Sequence, residues 1–455
     1  MTSGTLDLGP AVDPAVDGDV EPLWQLLSPP SRFDSSNARV LGASGVRLRF
    51  ADGVDALCAS SGLWNVNIGY GNQAVADAVH RAMLDASYLT LFRRSHPWAL
   101  EAARTLVELC GADTFGRVLF STSGSAANDA MMKIVRHYWA LRGQPGRRLV
   151  VGLRDSYHGL TYGSSALTGE DLAQDLYLVD RRFVRHVGHT DPAALRRLVT
   201  GAGAQIGAVV VEPVLGTGAH EIPDDFLAEL IALREQYGFL LVADEVATGF
   251  GRTGTWFASQ AWPATPDVMV LSKGLTNGTC AGSAVVVSHE IRAAFDEADA
   301  VLAHGETNAG TPPTCAAITA TVAQMRQHDV VARGAALGER LGAGLAELVD
   351  RHPAAVAHRG RGCFRHLSLV RPDGEPYTPD DVVAALEAIR LAGAAVHPGP
   401  AGIQLVPPLI YTDDDLAELL DCVERGLTAV WTGRVDQLRA ARHSGHATPG
   451  VMVAR

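Results

Sequence analysis

The feature that most constrains the fold is an alternation between residues 116 and 288, where short runs rich in valine and leucine are separated by longer amphipathic segments. This alternation is typical of βαβ units arranged around a mostly parallel sheet. Because the runs are almost continuously apolar, we expect strands that are buried on both faces. The predicted strands are RVLFS (117–121), RLVVGL (148–153), GAVVVEP (207–213), FLLVADE (239–245), DVMVLS (267–272) and AGSAVVVS (281–288). The sequence therefore predicts an α/β fold whose large domain contains this sheet.

The clearest intervening helix is FLAELIALREQYG (226–238), which has apolar residues at helical spacing and a closing glycine. After about residue 329 the pattern changes to long helices around short strands, FRHLSLV and a second near PPLI. This change predicts a smaller α+β domain formed by the two chain ends. The predicted division is a flexible leader (1–22), an N-terminal part of the small domain with a pocket segment (23–75), the large domain (76–328), the C-terminal small domain (329–432) and a tail (433–455).

Charge and composition exclude several classes of partner. The formal net charge of −12 disfavours nucleic acid and anionic membranes, which require clustered lysine and arginine. No apolar stretch has the length of a membrane helix, and the acidic N-terminus lacks the basic and apolar regions of a signal peptide. Six widely spaced cysteines indicate reduced thiols, and no metal site is expected. We therefore expect a cytoplasmic protein that acts on small molecules or protein.

Polar residues follow several of the predicted strands, at the edge where ligands bind in such sheets. Gly124 and Ser125 follow the first strand and begin a helix, where backbone N–H groups favour an anion. Plain helix capping would give the same local pattern. Asp244 ends the fourth strand, and a buried carboxylate there requires a cationic partner. Lys273 follows the fifth strand and could be desolvated into a Schiff-base nucleophile.

The chain contains only two lysines, Lys133 and Lys273, so a lysine placed at a strand end is less easily incidental. The tripeptide Tyr157-His158-Gly159, beyond the second strand, could place an aromatic face against a flat cofactor. Each of these features has an ordinary structural explanation when taken alone. Together, an anion site, a strand-end carboxylate, a strand-end lysine and an aromatic face are what pyridoxal 5'-phosphate (PLP) requires of a protein.

The same residues resemble the class III aminotransferases of PLP fold type I, from about residue 23 to residue 428. The motifs that carry the resemblance are STSGSAANDAMMK, SYHG, VEP, ADEVATGFGRTG and LSKGLTNG. The resemblance implies an amino-group transferase in which Lys273 and Asp244 are catalytic. It further implies cofactor contacts from Ser123, Gly124, Ser125, Tyr157, His158, Glu212, Asp244, Val246, Lys273 and, reaching the phosphate of a neighbouring subunit, Thr307. A homodimer with shared active sites follows from that last contact.

The resemblance also implies a substrate pocket, in which this chain departs from the family pattern. SSGLWNVNIGYGN (60–72) is similar to the segment that lines the pocket, which makes Leu63 and Trp64 candidates, although Trp64 could equally serve in packing. Many relatives have a carboxylate-binding arginine before the PPL turn, where this chain has Gln404. Residues 391–408 contain no arginine at all. The departure indicates a carbonyl acceptor without a carboxylate.

The overall pattern also resembles aminotransferases of daptide-type ribosomal peptide biosynthesis, which implies amination of a ketone at the C-terminus of a modified peptide. The expected partners are thus a small-molecule amino donor and a carbonyl acceptor of this kind. Three alternatives stay open at this point. The chain could be an ω-amino acid or diamine:pyruvate transaminase, an aminomutase, or a scaffold subunit of a biosynthetic complex.

Overall fold

The computed structural model describes residues 23–29 and 39–445, so the predicted leader lies outside the described residues. The strands, in chain order, are β1 (Val40–Ser44), β2 (Arg47–Phe50), β3 (Asp55–Cys58), β4 (Phe115–Ser121), β5 (Leu149–Leu153), β6 (Val184–Val187), β7 (Ile206–Val211), β8 (Val214–Leu215), β9 (His220–Glu221), β10 (Leu240–Asp244), β11 (Val268–Leu271), β12 (Ser283–Ser288), β13 (Ala355–Arg361), β14 (Phe364–Leu369), β15 (Ala394–Ala395), β16 (His397–Gly399) and β17 (Gly402–Leu405).

The helices range from a single distorted turn to six turns. In chain order they are α1 (Ser61–Trp64), α2 (Gln73–Ala86), α3 (Pro97–Cys110), α4 (Gly124–Leu141), α5 (Tyr162–Leu167), α6 (Pro192–Ala202), α7 (Asp224–Tyr237), α8 (His289–Glu297), α9 (Pro312–Gln327), α10 (Val330–Arg351), α11 (Pro379–Ala392), α12 (Asp413–Trp431) and α13 (Val435–Gly445). No helix in the described part of the chain is long and apolar enough to cross a bilayer.

The central sheet has seven strands in the order β4-β12-β11-β10-β7-β5-β6. Only β12 runs antiparallel to its neighbours, and the other pairs are parallel. All six predicted strands are confirmed to within a few residues, as is the predicted helix, which is α7 and ends at Gly238 with a φ of 71°. β6 was not predicted. The predicted α/β fold with a mostly parallel sheet is therefore confirmed.

Helices cover both faces of this sheet, because successive side chains of each buried strand point to opposite sides. Val242 of β10 faces a cluster with α4, while its neighbour Leu241 faces a cluster with α6 and α7. The polar residues that follow the strands are consequently left at one edge, where the parallel strands end.

The two chain ends form smaller sheets beside this core. β15 pairs in parallel with β3, so the C-terminal part of the chain completes the N-terminal sheet β1-β2-β3-β15. A further sheet, β13-β14-β17-β16, contains the predicted strand FRHLSLV. In the predicted tail, α13 occupies Val435–Gly445, and residues 446–455 lie outside the described part.

One buried guanidinium ties these regions together. Arg252 is fully buried and donates to the Ser61 hydroxyl (3.1 Å), to Asn67 Oδ1 (2.7 Å) and to the carbonyl oxygens of Cys363 (3.3 Å) and Pro407 (2.5 Å). Burial lowers the pKa of Arg252 to about 10, which still leaves the side chain charged near neutral pH. The residue links the N-terminal pocket segment to the C-terminal sheet.

We expect Arg252→Met to lower the free energy of unfolding by roughly 3 kcal/mol, because several buried oxygen atoms lose their donor. Differential scanning calorimetry would show this as a lower Tm. Arg81→Met, at an exposed position in α2, is the matched control. Equal Tm values for the two variants would contradict the structural role assigned to Arg252.

Candidate functional site

The polar strand ends surround a cavity of about 410 Å³ at the carboxyl edge of the central sheet. The predicted site residues that line it are Leu63, Trp64, Gly124, Ser125, Tyr157, His158, Asp244, Val246 and Lys273. Residues that the sequence did not predict complete the wall, and they include Leu27, Asn128, Glu170, Leu172, Thr217 and His397. The structure thus brings residues from four strand ends and from both chain ends into one cavity.

The first turn of α4 is the candidate anion site and lies beside this cavity. The Ser123 hydroxyl caps the helix by accepting from Ala126 N (3.2 Å), and the Ser125 hydroxyl accepts from Leu160 N (3.2 Å). Gly124 packs so closely against Val246 that a Cβ atom there would lie 3.1 Å from Val246 Cγ1. A second cavity, of about 260 Å³, shares Gly124 and Lys273 with the first. The free N–H groups of this turn suit a phosphate.

A carboxylate that was not predicted holds the residues leading into this turn. Glu306 accepts from the hydroxyls of Ser121 and Thr122 and from Thr122 N (3.2 Å). It therefore fixes the end of β4, from which the anion site begins. Its neighbour Thr307 is exposed, and the Thr307 carbonyl oxygen accepts from the Tyr88 hydroxyl (3.1 Å). Thr307 does not line the cavity of its own chain.

Asp244 is buried at the end of β10 and is held by three donors. Its Oδ2 atom lies 2.7 Å from His158 Nδ1 and accepts from Asn128 Nδ2 (2.8 Å), while Oδ1 accepts from Val246 N (3.1 Å). Burial lowers the pKa of His158, but the hydrogen bond and charge of Asp244 outweigh it, and the net shift is upward. The arrangement fixes a negative charge at the cavity floor.

Lys273 begins a short 3-10 turn directly after β11 and has a φ of 49°. Its Nζ atom lies 4.7 Å from the centroid of the Trp64 ring, and the described residues offer Nζ no hydrogen-bond partner. Burial lowers the pKa of the Lys273 ammonium, although the carboxylates of Glu212 and Asp244 oppose this effect. A lysine with a lowered pKa is more readily a neutral nucleophile.

Glu212 and Gln404 lie behind the cavity wall. Glu212 accepts from Tyr157 N (2.8 Å) and Gly216 N (3.0 Å), and burial raises the pKa of Glu212 to about 7. Gln404 was predicted as a pocket residue, but its buried amide donates to the Gly216 carbonyl oxygen (2.9 Å) and does not line the cavity. Both residues therefore stabilise the cavity wall indirectly, through hydrogen bonds to the backbone of Gly216.

His397 occupies the wall in the segment that lacks arginine. Its ring packs edge-to-face against the Trp64 ring, and the two ring centroids are 5.1 Å apart. Burial lowers the pKa of His397 to about 4, with a further contribution from Lys273, so the imidazole is neutral near pH 7. No arginine is among the described residues that line the cavity.

The residues fit a flat, phosphate-bearing pyridine. Tyr157 and Val246 provide two apolar surfaces, Asp244 provides a fixed anion for a protonated ring nitrogen, and Lys273 provides an amine. Two buried atoms, His158 Nε2 and Asn128 Oδ1, have no hydrogen-bond partner among the described residues. Among those residues we found no group of side chains that could hold a metal ion.

Comparison with known proteins finds similarity to aminotransferases. A family model for aminotransferase class-III matches residues 33–427. A putrescine–pyruvate aminotransferase of Pseudomonas aeruginosa is 31% identical in an alignment of 445 positions that covers 90% of this chain and 97% of the relative. An omega-aminotransferase of Caulobacter vibrioides is also 31% identical, over 90% of this chain and 98% of the relative. The PLP-bound structure of an amine transaminase from an uncultivated Pseudomonas species superimposes with a TM-score of 0.84 at 27% identity, over 90% of this chain and 99% of that one.

Proposed function

This chain belongs to the class III aminotransferase family, as a transaminase with PLP as its cofactor, and we propose that it aminates a ketone or aldehyde that lacks a carboxylate. The observation that carries the proposal is the absence of arginine among the described residues lining the cavity. A carboxylate entering this cavity would find no bidentate partner and would meet Glu170.

PLP, when bound, supplies an electron-accepting ring and a carbonyl carbon that carries the amino group between the two half-reactions. The first turn of α4 would bind the phosphate through Gly124 and Ser125. Asp244, which His158 and Asn128 hold in place, would keep the ring nitrogen protonated. Lys273 Nζ would hold the cofactor covalently, and once the donor amine has displaced it, the freed amine would move the proton at the reacting carbon.

The acceptor side of the cavity is apolar and open. Leu63 lines the cavity and is 61% exposed, so the rim on this side is in contact with solvent. His397 adds a neutral polar group to the same wall. An extended acceptor could present its carbonyl at Lys273 while the rest of the molecule stays outside. This favours the ketone terminus of a modified ribosomal peptide as the acceptor.

A second candidate is a transaminase of the diamine:pyruvate type. The specific observation in its favour is the sequence similarity to the putrescine–pyruvate and omega-aminotransferases. Against a 2-oxo acid acceptor stands the wall without arginine. Similarity to enzymes over most of the chain favours a catalyst over the scaffold alternative.

We place Thr307 in a shared site of a homodimer. It is exposed and lies outside the cavity of its own chain, and the adjacent Glu306 orders the start of the anion site. Such a position suits a residue that reaches the phosphate of the neighbouring subunit.

We expect wild-type enzyme to aminate 2-butanone with a higher kcat/KM than 2-oxobutanoate, which differs by a carboxylate in place of one methyl group. Steady-state rates with one amine donor would give kcat/KM for each of the two acceptors. In a separate reaction, a peptide that ends in a methyl ketone would serve as the acceptor, and mass spectrometry would detect its amination. Efficient use of 2-oxobutanoate with no use of either ketone would overturn the proposed acceptor. Donor loss without consumption of any acceptor would indicate an aminomutase.

His397→Arg provides a second arm of this experiment. The new guanidinium would lie in the cavity wall and could pair with the carboxylate of the acceptor, so kcat/KM for 2-oxobutanoate should rise by roughly tenfold. The value for 2-butanone should not rise, because this acceptor has no carboxylate. A parallel rise for both acceptors would show that the wall does not discriminate by charge.

A further inference from the structure

One acidic side chain in the cavity has no place in the cofactor chemistry. Glu170 lines the cavity, is partly buried and accepts a hydrogen bond from the Thr217 hydroxyl. No arginine, lysine or histidine of the described residues forms an ion pair with it. Burial raises the pKa of Glu170, and the Thr217 hydrogen bond opposes that rise. The carboxylate is oriented by a neutral donor and keeps its capacity to bind a cation.

The backbone holds Glu170 in a fixed position relative to the reacting face. Its N–H donates to the Ser156 carbonyl oxygen (3.3 Å), and its own carbonyl oxygen accepts from Gln174 Nε2 (2.7 Å). Ser156 directly precedes Tyr157, the aromatic residue of the cavity. Gln174 is itself buried. The carboxylate is therefore positioned before any ligand arrives.

A short series of contacts connects Glu170 to Lys273. Lys273 Nζ lies 4.7 Å from the centroid of the Trp64 ring. Trp64 also lies against Gly216, since a Cβ atom added at Gly216 would be 3.2 Å from Trp64 Cζ3. The residue after Gly216 is Thr217, whose hydroxyl donates a hydrogen bond to Glu170. Leu63 and Leu172 add apolar surface to the same cavity. The cavity thus has a reactive amine and a separate carboxylate, with apolar surface beside both.

We infer that Glu170 is a specificity residue that binds a second, distal cationic group of the amino donor, so that linear diamines are preferred over monoamines of the same length. The inference rests on the proposed transaminase function and names the class of donor. The donor's first amino group reacts at the cofactor, and its second ammonium group pairs with Glu170. An ion pair in a partly buried cavity is strengthened by the lower local dielectric.

The test compares 1,4-diaminobutane with butylamine, which have the same chain length and differ in the second amino group. Conversion of the cofactor by each amine is followed by absorbance in single half-reactions of the holoenzyme, without an acceptor. We expect wild type to prefer the diamine and Glu170→Gln to lower the diamine/monoamine ratio of kcat/KM by roughly tenfold or more. The lower ratio should result mainly from a higher concentration of diamine being required for the half-maximal rate.

Asp171→Asn is the matched control, because it removes one negative charge from the adjacent exposed residue, which does not line the cavity. This variant should keep the wild-type ratio, and Glu170→Asp should retain more of the preference than Glu170→Gln. Conversion of both amines with equal efficiency by wild type, or an unchanged ratio in Glu170→Gln, would overturn the inference alone. Conversion by no amine in a broad panel would overturn the proposed function and this inference with it.

Discussion

Replacing Lys273 with alanine is expected to lower kcat for amino transfer by roughly 10³-fold or more, because the variant loses both the nucleophile and the group that moves the proton. The lowered pKa of Lys273 and its position at the cavity wall motivate this prediction. Single-turnover absorbance with excess amine donor would measure the rate. Cofactor binding should persist, since the anion site at α4 is unchanged.

The low lysine content of the chain provides a control for the Lys273→Ala variant. Lys133 is the only other lysine of the sequence, and it lies in α4 with its Nζ 3.4 Å from the Ala303 carbonyl oxygen. Lys133→Ala should retain activity. Borohydride reduction of wild-type holoenzyme, followed by peptide mass spectrometry, should place the cofactor on Lys273. Labelling of Lys133, or near wild-type activity in Lys273→Ala, would refute the assignment.

Asp244→Asn is expected to lower kcat/KM by roughly 10²-fold or more, because the isosteric amide cannot keep the ring nitrogen protonated. The change also removes the negative charge that raises the pKa of His158. Steady-state kinetics with a fixed donor and acceptor would measure the loss. Circular dichroism of the bound cofactor would show whether it stays in place.

The matched control for this variant is Asp155→Asn. Asp155 is exposed beyond β5 and has a φ of 64°, a backbone conformation that asparagine tolerates. Removing this charge should leave kcat/KM close to the wild-type value. Equal losses in the two variants would mean that general electrostatics, and not the contact of Asp244 with the cofactor, sets the rate.

The central sheet was predictable because its strands are buried on both faces and are therefore almost purely apolar. β6 was missed because its four residues, Val184–Val187, include an arginine and a histidine. β13 was missed for a similar reason, since most of its Ala355–Arg361 segment is polar or exposed. The direction of β12 could not be predicted, because an antiparallel strand that has neighbours on both sides in a buried sheet has the same composition as a parallel one.

The clustering of the candidate cofactor residues in one cavity was predictable for a different reason: these residues directly follow strands whose ends meet at one edge. Glu170, Glu306 and His397 lie in loops or short strands, and long-range packing decides where they point. Gln404 shows the same limit in reverse. Its position in the sequence suggested a pocket residue, but the side chain turns to the Gly216 carbonyl oxygen. Hydrogen bonds between distant segments carry no local sequence signal.

The contacts of Arg252 have a consequence for the order in which a newly made chain matures. Its partners Ser61 and Pro407 are separated from it by 191 and 155 positions. Closing such long loops is slow relative to forming local structure. During synthesis the anion site, Asp244 and Lys273 would all leave the ribosome well before residue 407. A nascent chain could therefore bring its candidate cofactor residues together before His397 joins the cavity wall, and this C-terminal part of the wall would be the last to form.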